Sequence, residues 1–250
     1  MAKYAVVIAA AGRSRRFKEG GALLGDSLSQ KKPFAALKGR AVWLYSAERF
    51  ARRKDVARQF LVVSPEDRAE VERRFAADLT FYGVQIVEGG AERFLSVENA
   101  LKVAPDDVDF IAVHDAARPC VTDADVDRVF AEAARTNAAI LATPVVGSLK
   151  RSKTTVERHV VGESTSRENL WEAQTPQVFS KELLTRAYRE RPATFQPTDD
   201  CGLVEALGVD VSIVEGSRLN IKITSAEDLA IAEKFMEIVS GRNAKNAFFL

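Results

Sequence analysis

Apolar, β-type runs alternate with helical patterns along most of this chain. The first run, Tyr4–Ala10, is almost entirely apolar, which is typical of a strand buried on both faces of a sheet. Five further runs follow, at Gln59–Val63, Gly83–Val87, Asp109–His114, Ala139–Val145 and Val211–Val214. This alternation predicts an α/β fold, in which a mostly parallel, twisted sheet carries helices on both faces.

Helix signals occupy the segments between these runs. Pro65–Phe75 follows Ser64, a favourable N-cap residue, and has proline at its first position. Arg93–Val103 and Asp123–Thr136 carry apolar residues at helical spacing. A last helix is predicted to begin near Ser225, because the sequence from Ser225 to Asp228 resembles a capping box with aspartate in the acidic position.

The chain from 147 to about 169 breaks this rhythm, since it is polar and basic and contains a Gly162-Glu163 turn. We interpret it as a two-stranded arm that leaves the sheet, although a plain surface hairpin is the simpler alternative. We expect one domain over residues 1–240 and a C-terminal tail over residues 241–250.

Composition excludes several classes of function. The formal net charge is only +1, so no global field marks a nucleic-acid or membrane binder. The two cysteines, Cys120 and Cys201, form no CxxC pair, which argues against a disulfide framework or a structural zinc site. No apolar run approaches the roughly 18–20 residues that span a bilayer. Without a signal-peptide pattern at Met1, we expect a soluble, cytoplasmic protein.

A turn of small residues follows the first apolar run. Ala10, Ala11 and Gly12 allow a close approach to a ligand, and exposed N–H groups in such a turn can bind phosphate. Arg13, Arg15 and Arg16 add bidentate donors, although a tight turn with solvated arginines is an equal alternative. The glycine-rich stretch 18–31 then leads to Lys32, and it predicts either a lid over a polyphosphate or an ordinary surface loop.

Charged residues also follow the fourth run. Asp115 comes at the predicted strand end, where open α/β sheets bind ligands, so it suits a metal or ribose contact. Arg118 could contact a second phosphate. For His114, a structural role is the more frequent one at such a position.

Six short phrases, in order between about residues 5 and 235, resemble the 2-C-methyl-D-erythritol 4-phosphate cytidylyltransferase family. They begin at Ala10, Gly89, His114, Arg167, Thr198 and Asn220, and read AAG..RR, GGAER..SV, HDAARP, RENLW..QTPQ, TDD and NIKIT..EDL. The resemblance implies a three-layer, Rossmann-like nucleotidyltransferase fold. It also implies that CMP is transferred from CTP to 2-C-methyl-D-erythritol 4-phosphate, with release of pyrophosphate.

The resemblance further implies a role for each matching position. The nucleotide-binding residues would be Ala10, Ala11, Gly12, Arg13, Gly90, Ala91, Ser96, Asp115 and Ala116. The catalytic residues would be Arg16, Lys32, Lys222 and Arg167. The acceptor-binding residues would be Asp115, Arg118, Ser148, Arg167, Thr198 and Lys222. Asp115 would also contact Mg²⁺ held mainly by the CTP phosphates, and Arg167 would come from the partner in a homodimer.

This sequence departs from the family pattern in two places near the nucleotide. Ser14 stands where a glycine is usual, and Lys31-Lys32-Pro33 replaces Pro-Lys-Gln, which leaves Lys31 and Lys32 as alternatives for the functional lysine. Spacing favours Lys32. Three alternative functions stay open: a D-ribitol 5-phosphate cytidylyltransferase, a sugar-1-phosphate nucleotidyltransferase, and a non-catalytic nucleotide-binding protein.

Overall fold

The computed structural model describes residues 1–12, 14, 17, 27–154 and 158–247. The strands in these ranges are β1 (Tyr4–Ala9), β2 (Ala36–Leu37), β3 (Arg40–Ala41), β4 (Val56–Val63), β5 (Val84–Glu88), β6 (Phe110–Asp115), β7 (Ala138–Pro144), β8 (Leu149–Thr154), β9 (His159–Thr165), β10 (Trp171–Ser180) and β11 (Ser212–Glu215). The helices are α1 (Val42–Ala51), α2 (Pro65–Arg74), α3 (Ala76–Phe81), α4 (Arg93–Lys102), α5 (Asp123–Thr136), α6 (Lys181–Arg189), α7 (Asp200–Glu205) and α8 (Ala226–Ala247), with a 3₁₀ helix at Lys32–Phe34.

A seven-stranded sheet forms the centre, in the spatial order β11-β7-β10-β6-β1-β4-β5. Strand β1 is parallel to β4 and β6, β4 is parallel to β5, and β11 is parallel to β7. Only β10 runs against its neighbours in this sheet, pairing antiparallel with both β6 and β7. Each of the six predicted apolar runs overlaps one of these strands. The predicted mostly parallel α/β sheet is therefore confirmed.

Alternate residues of β1 pack against helices on opposite faces of the sheet. Val6 and Ile8 belong to one core cluster together with Trp43 of α1 and Phe130 of α5. Ala5 and Val7 belong to a second cluster that contains residues of α4, α6 and α7. These two apolar clusters make the molecule a three-layer structure, as the sequence predicted.

Helix ends agree with most of the sequence signals. At the start of α8, the Asp228 N–H donates to Ser225 Oγ (3.3 Å) and the Ser225 N–H donates to the Asp228 carboxylate (2.9 Å), which confirms the capping box. Helix α8 continues to Ala247, past the boundary expected at residue 241. Ser64 lies at the N-cap of α2, but its hydroxyl donates to the Asp67 carboxylate (2.5 Å) and caps no amide.

Strands β8 and β9 form the predicted two-stranded arm. They pair antiparallel with each other, from Leu149 opposite Thr165 to Thr154 opposite His159, and belong to a sheet of their own. Residues 155–157, at the turn between them, lie outside the described residues. The division into a domain at 1–240 and a tail stays a prediction. Within the described ranges, no helix combines the length and the apolar character needed to cross a bilayer.

Candidate active site

A cavity of about 630 Å³ opens at the carboxyl ends of β1, β4, β5 and β6. Loops that follow parallel strands meet at one edge of the sheet, and this is where open α/β folds bind ligands. The cavity is lined by Ala9, Ala11, Gly12, Ser14, Lys32, Pro33, Ser64, Pro65, Glu66, Gly89, Gly90, Ala91, Glu92, Arg93, Ser96, Asp115, Ala117 and Lys222.

After β5, Gly89 brings the backbone close to the turn after β1, and Gly90 brings it close to α4. A Cβ atom on Gly89 would lie 2.6 Å from Ala11 Cβ, and one on Gly90 would lie 2.4 Å from Leu95 Cβ, so no larger residue fits without movement. The Gly90 N–H donates to Ser96 Oγ (3.1 Å), whose hydroxyl donates to the Glu92 carbonyl (3.1 Å). These contacts fix the backbone of Gly89 and Gly90 on one side of the cavity, and we call this side the Gly89-Gly90 wall.

Asp115, the last residue of β6, is buried, unlike Glu66 and Glu92, the other acidic residues in the described lining of the cavity. Lys222 Nζ lies 2.7 Å from its Oδ2 atom, and Arg93 Nε lies 3.6 Å from its Oδ1 atom. Burial raises the pKa of Asp115, but Arg93, Lys222 and Arg118 together outweigh burial and hold that pKa well below its ordinary range. The side chain is therefore a carboxylate at neutral pH.

Arg93 also lines the cavity, and the sequence analysis gave it no role. Its guanidinium donates to the fully buried Asp200 carboxylate (2.7 Å), which also accepts from the Tyr188 hydroxyl (2.6 Å). Burial lowers the pKa of Arg93, but Asp200 and Asp115 outweigh it and raise that pKa above its ordinary value. Arg93 thus links a buried acid to the acid of the cavity. Its place in the first turn of a helix after Gly89 and Gly90 was the available signal.

Arg118 lies behind Asp115 and does not line the cavity. Its buried guanidinium donates to the backbone carbonyls of Asn220 (2.7 Å) and Ala173 (3.3 Å). The Asn220 amide in turn donates to the Thr175 carbonyl (3.0 Å). In this structure Arg118 therefore braces the segment that carries Lys222, while its predicted contact with the acceptor stays a prediction.

His114 is fully buried and both of its ring nitrogens are engaged. The Arg118 carbonyl can only accept, so His114 Nε2 carries the ring proton and donates to it (3.2 Å). Nδ1 of the neutral ring then accepts from the Thr175 hydroxyl (3.1 Å), whose oxygen also accepts the Asp115 N–H (3.0 Å). Burial lowers the pKa of His114 to about 4. These contacts support the structural role that the sequence analysis favoured.

This depressed pKa predicts a pH dependence of stability. The unfolded chain binds a proton at this histidine below its ordinary pKa of 6.5, whereas the folded chain does not until about 4. The stabilisation is therefore present above the ordinary pKa and is lost as the pH falls toward 4. We expect the free energy of unfolding to fall by about 2 kcal/mol between about pH 7.5 and about pH 5 through this residue.

NMR spectroscopy of the two histidine rings checks this expectation directly. The second histidine, His159, is exposed on β9, so the His159→Gln variant assigns the signals and leaves those of His114 alone. We expect the His114 ring to show no titration from pH 8 down to pH 5. A midpoint at or above the ordinary value would contradict the buried, neutral state.

The structure brings eight of the predicted site residues together around the cavity: Ala11, Gly12, Lys32, Gly90, Ala91, Ser96, Asp115 and Lys222. Ala10 and Ala116 are buried in the core instead. Ser148, Arg167 and Thr198 are exposed and do not line the cavity, and Arg167 donates to the Val146 carbonyl. Arg13 and Arg16 lie outside the described residues, as do residues 18–26 of the lid predicted over residues 18–31.

The two adjacent lysines have different surroundings. Lys31 Nζ lies 2.5 Å from the Asp67 carboxylate and 3.5 Å from Glu66, at the first turn of α2. Lys32 lines the cavity. The geometry thus favours Lys32 as the residue that meets a ligand, in agreement with the spacing argument.

Known proteins resemble this chain over nearly its whole length. The family model of IspD, 2-C-methyl-D-erythritol 4-phosphate cytidylyltransferase, matches residues 4–238. The enzyme of that name from Endomicrobium trichonymphae is 40% identical over 239 residues, which cover 94% of this chain and 99% of the relative. The one from Rhodopirellula baltica is 38% identical over 246 residues, covering 94% and 95%.

Solved structures show the same likeness. The crystal structure of 2-C-methyl-D-erythritol 4-phosphate cytidylyltransferase from Thermus thermophilus matches with a TM-score of 0.73 at 30% identity, covering 94% of this chain and 98% of that one. The fold, the order of the matching phrases and the family model all agree over nearly the whole chain. The chain therefore belongs to the 2-C-methyl-D-erythritol 4-phosphate cytidylyltransferase family.

Proposed function

We propose that this enzyme transfers CMP from CTP to 2-C-methyl-D-erythritol 4-phosphate and releases pyrophosphate. The observation that carries the proposal is the cavity itself, in which the Gly89-Gly90 wall faces the Asp115–Lys222 ion pair across the carboxyl ends of the parallel strands. In this proposal the cytosine base lies against the Gly89-Gly90 wall. The phosphates of CTP and of the acceptor meet beside the Asp115–Lys222 ion pair. The names of the relatives agree with this substrate pair.

The reaction needs no general base. A phosphate monoester has a second pKa near 6, so at neutral pH most acceptor molecules carry two negative charges and attack the α-phosphorus directly. This agrees with His114, which is buried, neutral and bonded at both nitrogens, and so has no free site for a proton from the substrate.

The energetic problem is to bring a dianion up to a polyanion. Lys222, Lys32 and Arg93 line the cavity and supply positive charge from three separate parts of the chain. Fixed charges of this kind stabilise the transition state without reorganising at the moment of reaction, so electrostatic positioning supplies most of the rate. Arg16, whose placement lies outside the described residues, would add to this set.

Mg²⁺ fits this site as a partner of Asp115. The carboxylate lines the cavity in its ionised form. Among the described residues, its Oδ1 atom has the 3.6 Å contact with Arg93 and no shorter ion pair, so it retains lone pairs for a hard cation. Mg²⁺ commonly binds through one or two carboxylates together with substrate phosphates, and it would supply charge neutralisation there. We propose Asp115 as its protein ligand.

We further propose a homodimer in which the partner's arm completes each cavity. The arm projects as a separate hairpin, and Val161 and Trp171 on it and next to it are exposed although they are apolar. Arg167, implied as an acceptor ligand, is exposed and lies off the cavity of its own chain.

The free, buried thiols of Cys120 and Cys201 are compatible with a reducing compartment, which supports a cytoplasmic location.

Pyrophosphate release tests the function. The purified protein is incubated with CTP, Mg²⁺ and one acceptor, either 2-C-methyl-D-erythritol 4-phosphate or D-ribitol 5-phosphate. Parallel samples also contain EDTA. We expect release with the methylerythritol phosphate, and its loss in EDTA with recovery on adding Mg²⁺. Pyrophosphate release with D-ribitol 5-phosphate but not with the methylerythritol phosphate would change the assigned acceptor. No release with either acceptor, although CTP binds, would disprove the catalytic function.

A further inference from the structure

Ser14 has a backbone conformation that its side chain disfavours. Its φ angle is +52°, in the left-handed region that glycine adopts freely and other residues adopt at a cost. The residue is buried and lines the cavity between the turn after β1 and the 3₁₀ helix Lys32–Phe34. A glycine would relieve the backbone here, so the serine hydroxyl is the group whose contacts explain its presence.

The hydroxyl makes a specific contact with the lysine segment. The Lys32 N–H donates to Ser14 Oγ at 3.1 Å. Lys32 is the first residue of the 3₁₀ helix, and amides at a helix start have no partner within the helix. Pro33 carries no N–H, and the Phe34 N–H donates to the Lys31 carbonyl (2.9 Å). Ser14 thus supplies, from a distant part of the chain, the acceptor that this helix start requires.

A second attachment fixes the other side of the same segment. Lys31 Nζ contacts the Asp67 carboxylate at 2.5 Å, and only 11% of each side chain is exposed. The Ser64 hydroxyl donates to the same carboxylate (2.5 Å), and Ser64 and Ser14 both line the cavity. Lys32 is therefore preceded by a residue tied to α2, while its own amide is tied to the turn after β1.

We propose that Ser14 is a positioning residue, which acts through the backbone of Lys32 to hold this lysine at the cavity for the phosphates of CTP. The proposal rests on the function proposed above, because it assigns to Lys32 a triphosphate ligand. It goes beyond that function because Ser14 acts by orienting Lys32. Loss of the Ser14 hydroxyl is therefore expected to weaken CTP binding while the protein still folds.

Three substitutions separate the hydroxyl from the backbone strain. Ser14→Ala removes the acceptor and keeps the strain, Ser14→Gly removes the acceptor and relieves the strain, and Ser14→Asn keeps an acceptor in a residue that tolerates the left-handed region. We expect alanine and glycine both to raise KM and Kd for CTP by about tenfold, the equivalent of one hydrogen bond, with kcat less affected. Asparagine is expected to restore most of the affinity.

The thermal midpoint is measured on the same proteins. The Ser14→Gly variant is expected to be at least as stable as the Ser14→Ala variant, although both variants lose CTP affinity. If Ser14 served stability alone, the midpoint would change while KM and Kd for CTP stayed at the parent values, and the proposal would be overturned.

A double-mutant cycle tests whether the effect passes through Lys32. In a Lys32→Ala background, Ser14→Ala is expected to cause no further loss of CTP affinity, since the lysine it positions is gone. Losses that add in full would show that Ser14 acts on the nucleotide by another route, contrary to the proposal.

Hydrogen exchange in the protein without ligand separates this proposal from the function on which it rests. The Lys32 amide is expected to exchange slowly in the parent and in Ser14→Asn, and much faster in Ser14→Ala. A parent that binds CTP but releases no pyrophosphate would disprove the catalytic function, while exchange and Kd would still support the role of Ser14. Unchanged exchange in Ser14→Ala would overturn that role even in an active enzyme.

Discussion

Replacing Lys222 by alanine is expected to lower kcat by a factor on the order of 10² or more, the usual size for losing one electrostatic donor in an active site. Lys222 Nζ is 2.7 Å from the Asp115 carboxylate and the side chain lines the cavity. Its loss removes positive charge where two phosphates must approach, and leaves Asp115 to repel them. Pyrophosphate release at saturating CTP and acceptor measures the effect.

Lys102→Ala is the matched control for this variant. Lys102 is a largely exposed lysine at the end of α4, where it has a 3.9 Å contact with Glu98 and does not line the cavity. We expect its turnover to equal that of the parent. A correctly folded Lys222→Ala protein with turnover within a few-fold of the parent would exclude Lys222 from the catalytic set.

Replacing Arg93 by methionine is expected to lower the free energy of unfolding by about 3–5 kcal/mol, as when one partner of a buried ion pair is removed. Asp200 has no exposed surface, and the Arg93 guanidinium is the cation in contact with it in the described part of the chain. Methionine keeps an unbranched apolar side chain there but leaves the carboxylate uncompensated. Urea unfolding at neutral pH measures the loss.

The double variant Arg93→Met/Asp200→Asn separates the two partners of Arg93. Asparagine removes the buried charge and keeps an oxygen that accepts from the Tyr188 hydroxyl, so we expect most of the lost stability to return. Turnover is expected to be low in both the single and the double variant, because Asp115 lacks its contact with Arg93 in each. If the double variant were no more stable than Arg93→Met, the uncompensated charge of Asp200 would not be the cause of the loss.

The parallel strands could be predicted because each is a short apolar run bounded by polar residues. Strand β10 could not, although it lies near the centre of the sheet. Its register shifts between Ala173 and Gln177, where polar Gln174 and Thr175 and then Pro176 interrupt the apolar pattern. Gln177 is nevertheless buried, because its amide group donates to the Asp199 carboxylate (2.8 Å) and accepts from the Asp200 N–H (3.2 Å). From sequence alone, a polar residue whose hydrogen-bond partners are distant along the chain favours a loop over a buried strand.

The site shows the same limit. Asp115 could be predicted from its place at a strand end, since the fold alone brings strand ends to one edge. The contact of Arg93 with Asp200 joins residues that are 107 positions apart, and the local sequence of neither segment predicts it. For Arg118, the motif indicated a functional neighbourhood, but burial against the carbonyls of Asn220 and Ala173 depends on tertiary packing.

The position of β10 has a consequence for how the chain is made. Strand β6 pairs with β1 on one side. In the described part of the chain, its other edge pairs with residues Gln177–Ser180, which follow β7 and the whole arm in the sequence. A chain still growing, or cut within the arm, keeps an apolar strand of its sheet unpaired along one side. Open edges of this kind join other chains readily. Incomplete forms of this protein are therefore the ones most exposed to aggregation, and they depend most on protection until synthesis passes residue 180.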